Sequence, residues 1–138
     1  MPASNLACEA NINSLKLVMA GDKASWLALF ADDAVIHDPV GPSAHDPEGT
    51  GFQGPERISE FWDTMIATGD LILVAHRRIA VGEHIACVNM TATNRVADLK
   101  TSIEMVGVYE VYPDGKVKSL KVYWDVDALD QQIQAQMA

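Results

Sequence analysis

Apolar and polar positions change rhythm about halfway along the chain. Up to Gly69 the apolar residues recur every three or four positions; beyond it they alternate. The first spacing collects side chains on one face of a helix, the second on one face of a strand. Cys8, Ile12, Leu15 and Met19 form a helical stripe, predicting a helix from Ser4 or Asn5, either able to cap it, to Gly21. Asp22 is placed to cap a second helix, with Trp26, Leu27 and Phe30 facing inward and Asp32-Asp33 ending it. A short strand, Ala34 to Asp38, stops at Pro39, which has no N–H for a ladder. Residues 39–54 hold three prolines and four glycines, a long loop of the kind that often carries function. Pro55 suits a helix's first turn, and Ile58, Phe61, Trp62, Met65 and Ile66 make the clearest amphipathic stripe, closed by Gly69.

The alternating half predicts four strands: Leu71–Ala80, His84–Arg95, Thr101–Tyr112 and Lys116–Trp124. Turns fall at Val81-Gly82-Glu83, Ala97-Asp98 and Pro113-Asp114-Gly115. In the last strand Leu120, Val122 and Trp124 alternate with Ser119, Lys121 and Tyr123, the mark of one buried face. Residues 127–136 suit a short terminal helix. Helices gathered early and strands late predict one α+β domain over 1–138: a curved, antiparallel-rich sheet wrapped over three N-terminal helices. The concavity between sheet and helices is the natural place for a small-molecule pocket.

Composition narrows the partners. With 138 residues, 49% hydrophobic and 21% charged, the chain is globular rather than disordered. A net charge of −9, with Arg77-Arg78 the only adjacent basic pair, argues against nucleic acid and anionic membrane surfaces. No basic-then-apolar leader opens the chain, and no apolar run is long enough for a bilayer. Cys8 and Cys87 lack metal-ligand spacing and read as two reduced, packed thiols, so a cytoplasmic protein is expected.

Asp38 is the main candidate for chemistry. It ends an apolar strand and precedes Pro39, where desolvation by a cavity would raise its pKa and suit it to accept protons; capping the loop is the alternative role. The segments around it form a recognisable set. Gly21-Asp22, Leu29-Phe30-Ala31-Asp32-Asp33-Ala34, Asp38-Pro39-Val40-Gly41, Gly54-Pro55-Glu56, Glu60-Phe61-Trp62, Arg78-Ile79-Ala80-Val81, Gly115-Lys116-Val117 and Tyr123-Trp124-Asp125 together resemble bacterial ketosteroid isomerases. Those belong to the nuclear-transport-factor-2-like (SnoaL-like) superfamily, with polyketide cyclases, scytalone dehydratase and limonene epoxide hydrolase. The resemblance implies a cone-shaped barrel, usually a homodimer through the outer face of its sheet, working without metal or organic cofactor. It implies that Asp38 is the general base moving a proton next to a ketone.

The same resemblance directs attention to the donors that must hold the developing enolate oxygen. The isomerases use a tyrosine of the first helix and an aspartic acid kept neutral by its apolar site. Here the tyrosine position falls on Ser14. The acid position falls on Gly107 counting back from Gly115, or on Met105 counting from the preceding hairpin, and neither side chain donates. Glu104 has the opposite strand parity. Tyr109 shares the parity of Gly107 and can offer a phenol. Trp124 matches a pocket-shaping aromatic, and Trp62 falls where a pocket tyrosine often sits, with an indole N–H to donate. Core packing is the competing account of each aromatic residue.

Two relatives fit less well. Dehydratase chemistry wants pocket histidines, but His76 and His84 lie near strand ends and His37 should face away from Asp38. Epoxide hydrolysis would use Asp125 with an Arg and an Asp two apart, and Asn89-Met90-Thr91-Ala92-Thr93 has neither; Asp125 also suits the cap of the terminal helix. The leading expectation is an isomerase-like enzyme for a lipophilic carbonyl compound of steroid or polyketide size. Asp38 acts as base, and Ser14, Trp62, Met105, Gly107, Tyr109 and Trp124 contact the substrate. A non-catalytic binding protein with the same pocket is the rival, and a protein-interaction module using an exposed apolar sheet face is a third possibility.

Overall fold

In the computed structural model, which describes residues 5–138, the first helix α1 (Leu6–Ala20) begins where the Asn5 side chain accepts the Cys8 N–H at 2.8 Å. Ser4 lies outside the described residues. The Asn5 amide also donates to the carbonyls of Gly82 and Ile85, both at 2.9 Å, tying the helix start to a hairpin of the sheet. Gly21, at φ 69°, ends the helix in the left-handed conformation. The buried face of α1 is turned away from the expected stripe. Ala7, Ala10, Asn11, Ser14, Leu15 and Val18 are buried, whereas Met19 is 48% exposed. The small residues let the helix lie close on the sheet, and the two polar ones find partners, Asn11 on the sheet and Ser14 on the next helix.

Helix α2 (Lys23–Leu27) is capped by Asp22, which accepts the Ser25 N–H at 3.1 Å. Strand β1 (Phe30–His37) starts four residues before the expected Ala34 and so contains Asp32 and Asp33 rather than following them. Both acids face solvent, and Asp33 accepts the Tyr112 hydroxyl at 2.6 Å, so their charge does not interrupt the strand. The long loop ends in β2 (Phe52–Gln53), which pairs antiparallel with β1. Asp46, buried, holds the loop by accepting the Thr50 and Gly51 N–H groups at 3.2 and 2.9 Å. Helix α3 (Gly54–Phe61) then widens into a π turn over Trp62–Ile66, where the Ala67 N–H reaches the Trp62 carbonyl at 2.8 Å.

Strands β3 (Ile72–Val81), β4 (Ile85–Val96), β5 (Leu99–Val111) and β6 (Val117–Tyr123) follow, close to the boundaries the alternation predicts, and α4 (Val126–Met137) closes the chain. Trp124 falls just beyond β6. The sheet order is β2-β1-β6-β5-β4-β3, antiparallel throughout except where β1 runs parallel to β6. Trp26, Ile36, Ile58, Val88 and Val117 are at most 1% exposed and anchor the core between helices and sheet. Burying each such side chain contributes about 1.5–3 kcal/mol. The register of β3 on β4 slips between Ala75 and Arg77. The extra residue flips strand parity, so Arg78 rather than Arg77 faces α1.

Candidate functional site

The parallel pairing of β1 with β6 brings the end of one strand beside the end of the other. His37 lies opposite Lys121, and after Pro39 the Val40 N–H rejoins the Val122 carbonyl at 2.9 Å. Asp38 is thereby set next to Trp124, whose indole N–H donates to Asp38 Oδ1 at 2.6 Å. Both residues line a cavity of about 180 Å³ between α1, the α3 region and the inner face of the sheet. Its wall is mostly apolar, with Leu15, Met65, Leu71, Met90, Ile103 and Leu120 among its members. Asp38 is half-buried, but on this side the carboxylate meets hydrocarbon instead of bulk water. Burial therefore pushes its pKa from an ordinary 3.8 up to about 6, with the Trp124 N–H pulling the other way.

Four of the other residues singled out in the sequence share this cavity with Asp38: Ser14, Met105, Tyr109 and Trp124. Alternation along β5 accounts for Met105 and Tyr109, which pair with the inward positions Met90 and Ala86. Gly107 has the same inward parity but is not part of the cavity wall. A Cβ there would sit 2.8 Å from the ε-carbon of Met90 and 3.4 Å from Cε1 of Tyr109, so those side chains occupy the room the glycine leaves. Trp62 is also elsewhere. It packs on Trp26 with ring centroids 5.2 Å apart and borders a separate, more polar depression that holds neither Asp38 nor Tyr109. Glu104 lies opposite Thr91 and points away from the cavity, Asp125 caps α4, and His76 bonds Thr91 on the outer face. The 39–54 loop contributes no residue to the cavity wall. Among the described residues, no set of three or more His, Cys, Asp or Glu is arranged to hold a metal.

Several polar residues at the cavity wall or just behind it are not marked by the sequence reading. The Trp26 indole donates to Ser14 Oγ at 3.0 Å, and Arg78 Nε donates to Asn11 Oδ1 at 2.8 Å. Asn11, fully buried, and Ser14 stand beside the Tyr109 phenol closely enough to act on its proton affinity. Burial nevertheless dominates and raises the Tyr109 pKa, so the phenol keeps its proton at neutral pH. At another part of the wall are Asn94, whose Oδ1 is buried without a partner, and its cross-strand neighbour Thr101. One local signal was available: Asn11 and Ser14, three apart, interrupt a helix face otherwise built from small and apolar residues.

This geometry has relatives. Residues 13–120 match the SnoaL-like domain. The chain is 30% identical over 111 residues to the steroid Delta-isomerase of Nocardioides simplex, an alignment covering 80% of this chain and 82% of that one. RV0760c from Mycobacterium tuberculosis superimposes with a TM-score of 0.88 at 29% identity, covering 93% of this chain and 97% of that one; it has also been solved in complex with estradiol-17beta-hemisuccinate. The Delta 5-3-ketosteroid isomerase of Mycobacterium sp. superimposes with a TM-score of 0.85 at 28% identity, covering 90% and 96%. The fold and the cavity between its helices and sheet define a nuclear-transport-factor-2-like protein. The chain belongs to the SnoaL-like family within that class.

Proposed function

We propose that the protein shifts a proton next to the carbonyl of a lipophilic, steroid- or polyketide-sized ligand, with Asp38 as general base. The observation that carries this reading is the Asp38 carboxylate on an apolar cavity wall, its pKa near 6. At neutral pH such a group is ionised and ready to accept a proton, yet basic enough to do so usefully. The Asp38 carboxylate takes a proton from the carbon next to the ketone, and the C–H electron pair moves into an enolate. The proton then returns from the Asp38 carboxylic acid to a carbon further along the conjugated system. Substrate and product are isomers, so no co-reactant is consumed. The likeness to a steroid Delta-isomerase and to a ketosteroid isomerase supports the substrate class. The test is Asp38→Asn assayed for deuterium exchange at the carbons next to the ketone of a bound β,γ-unsaturated 3-ketosteroid. Loss of about a hundredfold or more is expected. Unchanged exchange removes Asp38 from the mechanism.

A binding protein without catalysis is the second reading, favoured by Ser14 and Gly107 standing where the isomerases carry oxyanion donors. It predicts steroid binding, visible in tryptophan fluorescence, with no exchange in the wild type. We also propose that two copies associate through the outer sheet face, where Ile79, Val106 and Tyr123 are each more than 40% exposed. Val106 and Tyr123 lie opposite one another on neighbouring strands, and such exposed apolar side chains support a protein contact there. The cytoplasmic setting rests on the two free thiols, Cys8 and Cys87.

A further inference from the structure

We infer that Tyr109 supplies the hydrogen bond to the ligand's oxygen, and that Asn11 and Ser14 aim its O–H into the cavity; this rests on the reading of the pocket given above. Donor polarity makes the case. The guanidinium of Arg78 can only donate, so the atom of Asn11 that it meets at 2.8 Å is the carbonyl oxygen. The amide nitrogen of Asn11 must then face the other way, where it lies 3.7 Å from Met90 Sδ and beside the Tyr109 phenol. An indole N–H also only donates, and that of Trp26 occupies one lone pair of Ser14 Oγ at 3.0 Å. Ser14 Oγ keeps a second lone pair and its own proton for the phenol beside it.

The amide face of Asn11 and the hydroxyl of Ser14 thus both border the phenol. The amide nitrogen can only donate to the phenol, so the Tyr109 O–H is left for Ser14 Oγ or, when a ligand is bound, for the ligand's oxygen in the cavity. Asp38 faces the same cavity, near enough for its charge to act on the phenol. A ligand oxygen held by Tyr109 would thus share the cavity with the Asp38 carboxylate. Two local features make the arrangement possible. The β3 irregularity at Ala75/Arg77 turns Arg78 toward Asn11, and the bare Cα of Gly107 leaves room for the Tyr109 ring and Met90.

Tyr109 is a direct ligand contact in this account, while Asn11 and Ser14 are positioning residues. The test compares estradiol with 3-deoxyestradiol, which lacks the phenolic oxygen, by equilibrium dialysis. The wild type is expected to prefer estradiol about tenfold, the worth of one well-placed hydrogen bond in a dry site. Tyr109→Phe should bring the preference close to one while leaving affinity for the deoxy analogue unchanged; a merely structural role would weaken both ligands together. Asn11→Asp replaces the donor by an acceptor of the same shape. It should also abolish the preference, because the phenol then donates to the new carboxylate. Asp38→Asn should keep the preference while losing proton exchange. A tenfold preference surviving in Tyr109→Phe, or equal wild-type affinity for the two ligands, overturns the inference and leaves the Asp38 proposal to its exchange assay. Failure of the wild type to bind either steroid overturns the proposed ligand class, and this inference with it.

Discussion

The Trp124 indole N–H donates to Asp38 Oδ1 at 2.6 Å, joining two residues 86 positions apart at neighbouring strand ends. This bond opposes the burial that makes Asp38 basic. A hydrogen bond from a donor to a carboxylate favours the ionised form. Removing it must raise the pKa further.

Trp124→Phe keeps an aromatic wall and deletes the donor. The apparent pKa of Asp38, read by carbon NMR of the carboxyl group, is expected to rise from about 6 toward neutrality. The acid limb of any proton-exchange profile should move to higher pH with it. A pKa that stays put or falls would mean the bond does not hold the carboxylate ionised.

Asp38 should also make stability depend on pH. Its folded pKa, about 6, lies above its ordinary 3.8, so between those values the folded state binds more protons than the unfolded one. Stability therefore falls as pH rises through this window, by at most about 3 kcal/mol for a shift of this size. Asp38→Asn is expected to raise Tm at pH 7.5 and leave it nearly unchanged at pH 3.5. Thermal unfolding followed by circular dichroism at both values checks this, and equal effects at the two would contradict it.

Ala97 carries φ 54° in the β4–β5 turn, a backbone region that costs an alanine energy and a glycine almost none. Ala97→Gly should stabilise the protein by about 0.5–1 kcal/mol, or raise Tm by roughly 2–4 °C. Calorimetry decides it, and a lower Tm would show that the loss of chain entropy outweighs the relief of strain.

Val106, 42% exposed, sits opposite Tyr123 on the outer sheet face. If two copies meet there, Val106→Glu buries like charges against one another and should shift the molecule toward monomer at little cost to the fold. Sedimentation velocity of the two proteins reads the difference. A wild type that is monomeric at high concentration, or a variant that remains dimeric, would rule this face out as the contact.

The fold was legible because its signals are local. Period-two alternation in the second half marked β3 to β6 with small errors at their ends, and it put Met105, Gly107 and Tyr109 on one face. Asn5, Asp22 and Gly21 cap helices as their types suggest. β1 is longer than its sequence suggests because Asp32 and Asp33 look like a helix end, whereas on a strand with a solvent face they are unremarkable. The α1 stripe departs from the spacing expected because burial there follows close approach to the sheet, which favours Ala7, Ala10, Asn11 and Ser14 over bulkier Met19.

The candidate site divides along the same line. The end of an apolar strand marks Asp38, and strand parity puts Met105, Gly107 and Tyr109 on one face. Ser14, Trp62 and Trp124 are assigned to the site only through the resemblance to ketosteroid isomerases, and Trp62 and Gly107 lie off the cavity wall. Which side chains touch was decided by how helices and strands pack on one another. The bonds Trp124–Asp38, Arg78–Asn11 and Trp26–Ser14 span 86, 67 and 12 positions. One of these also needs the β3 irregularity, which reverses the side chains beyond it only because β4 fixes the register. Spacing along a chain determines the direction in which a side chain leaves its own element; only packed elements determine what it meets.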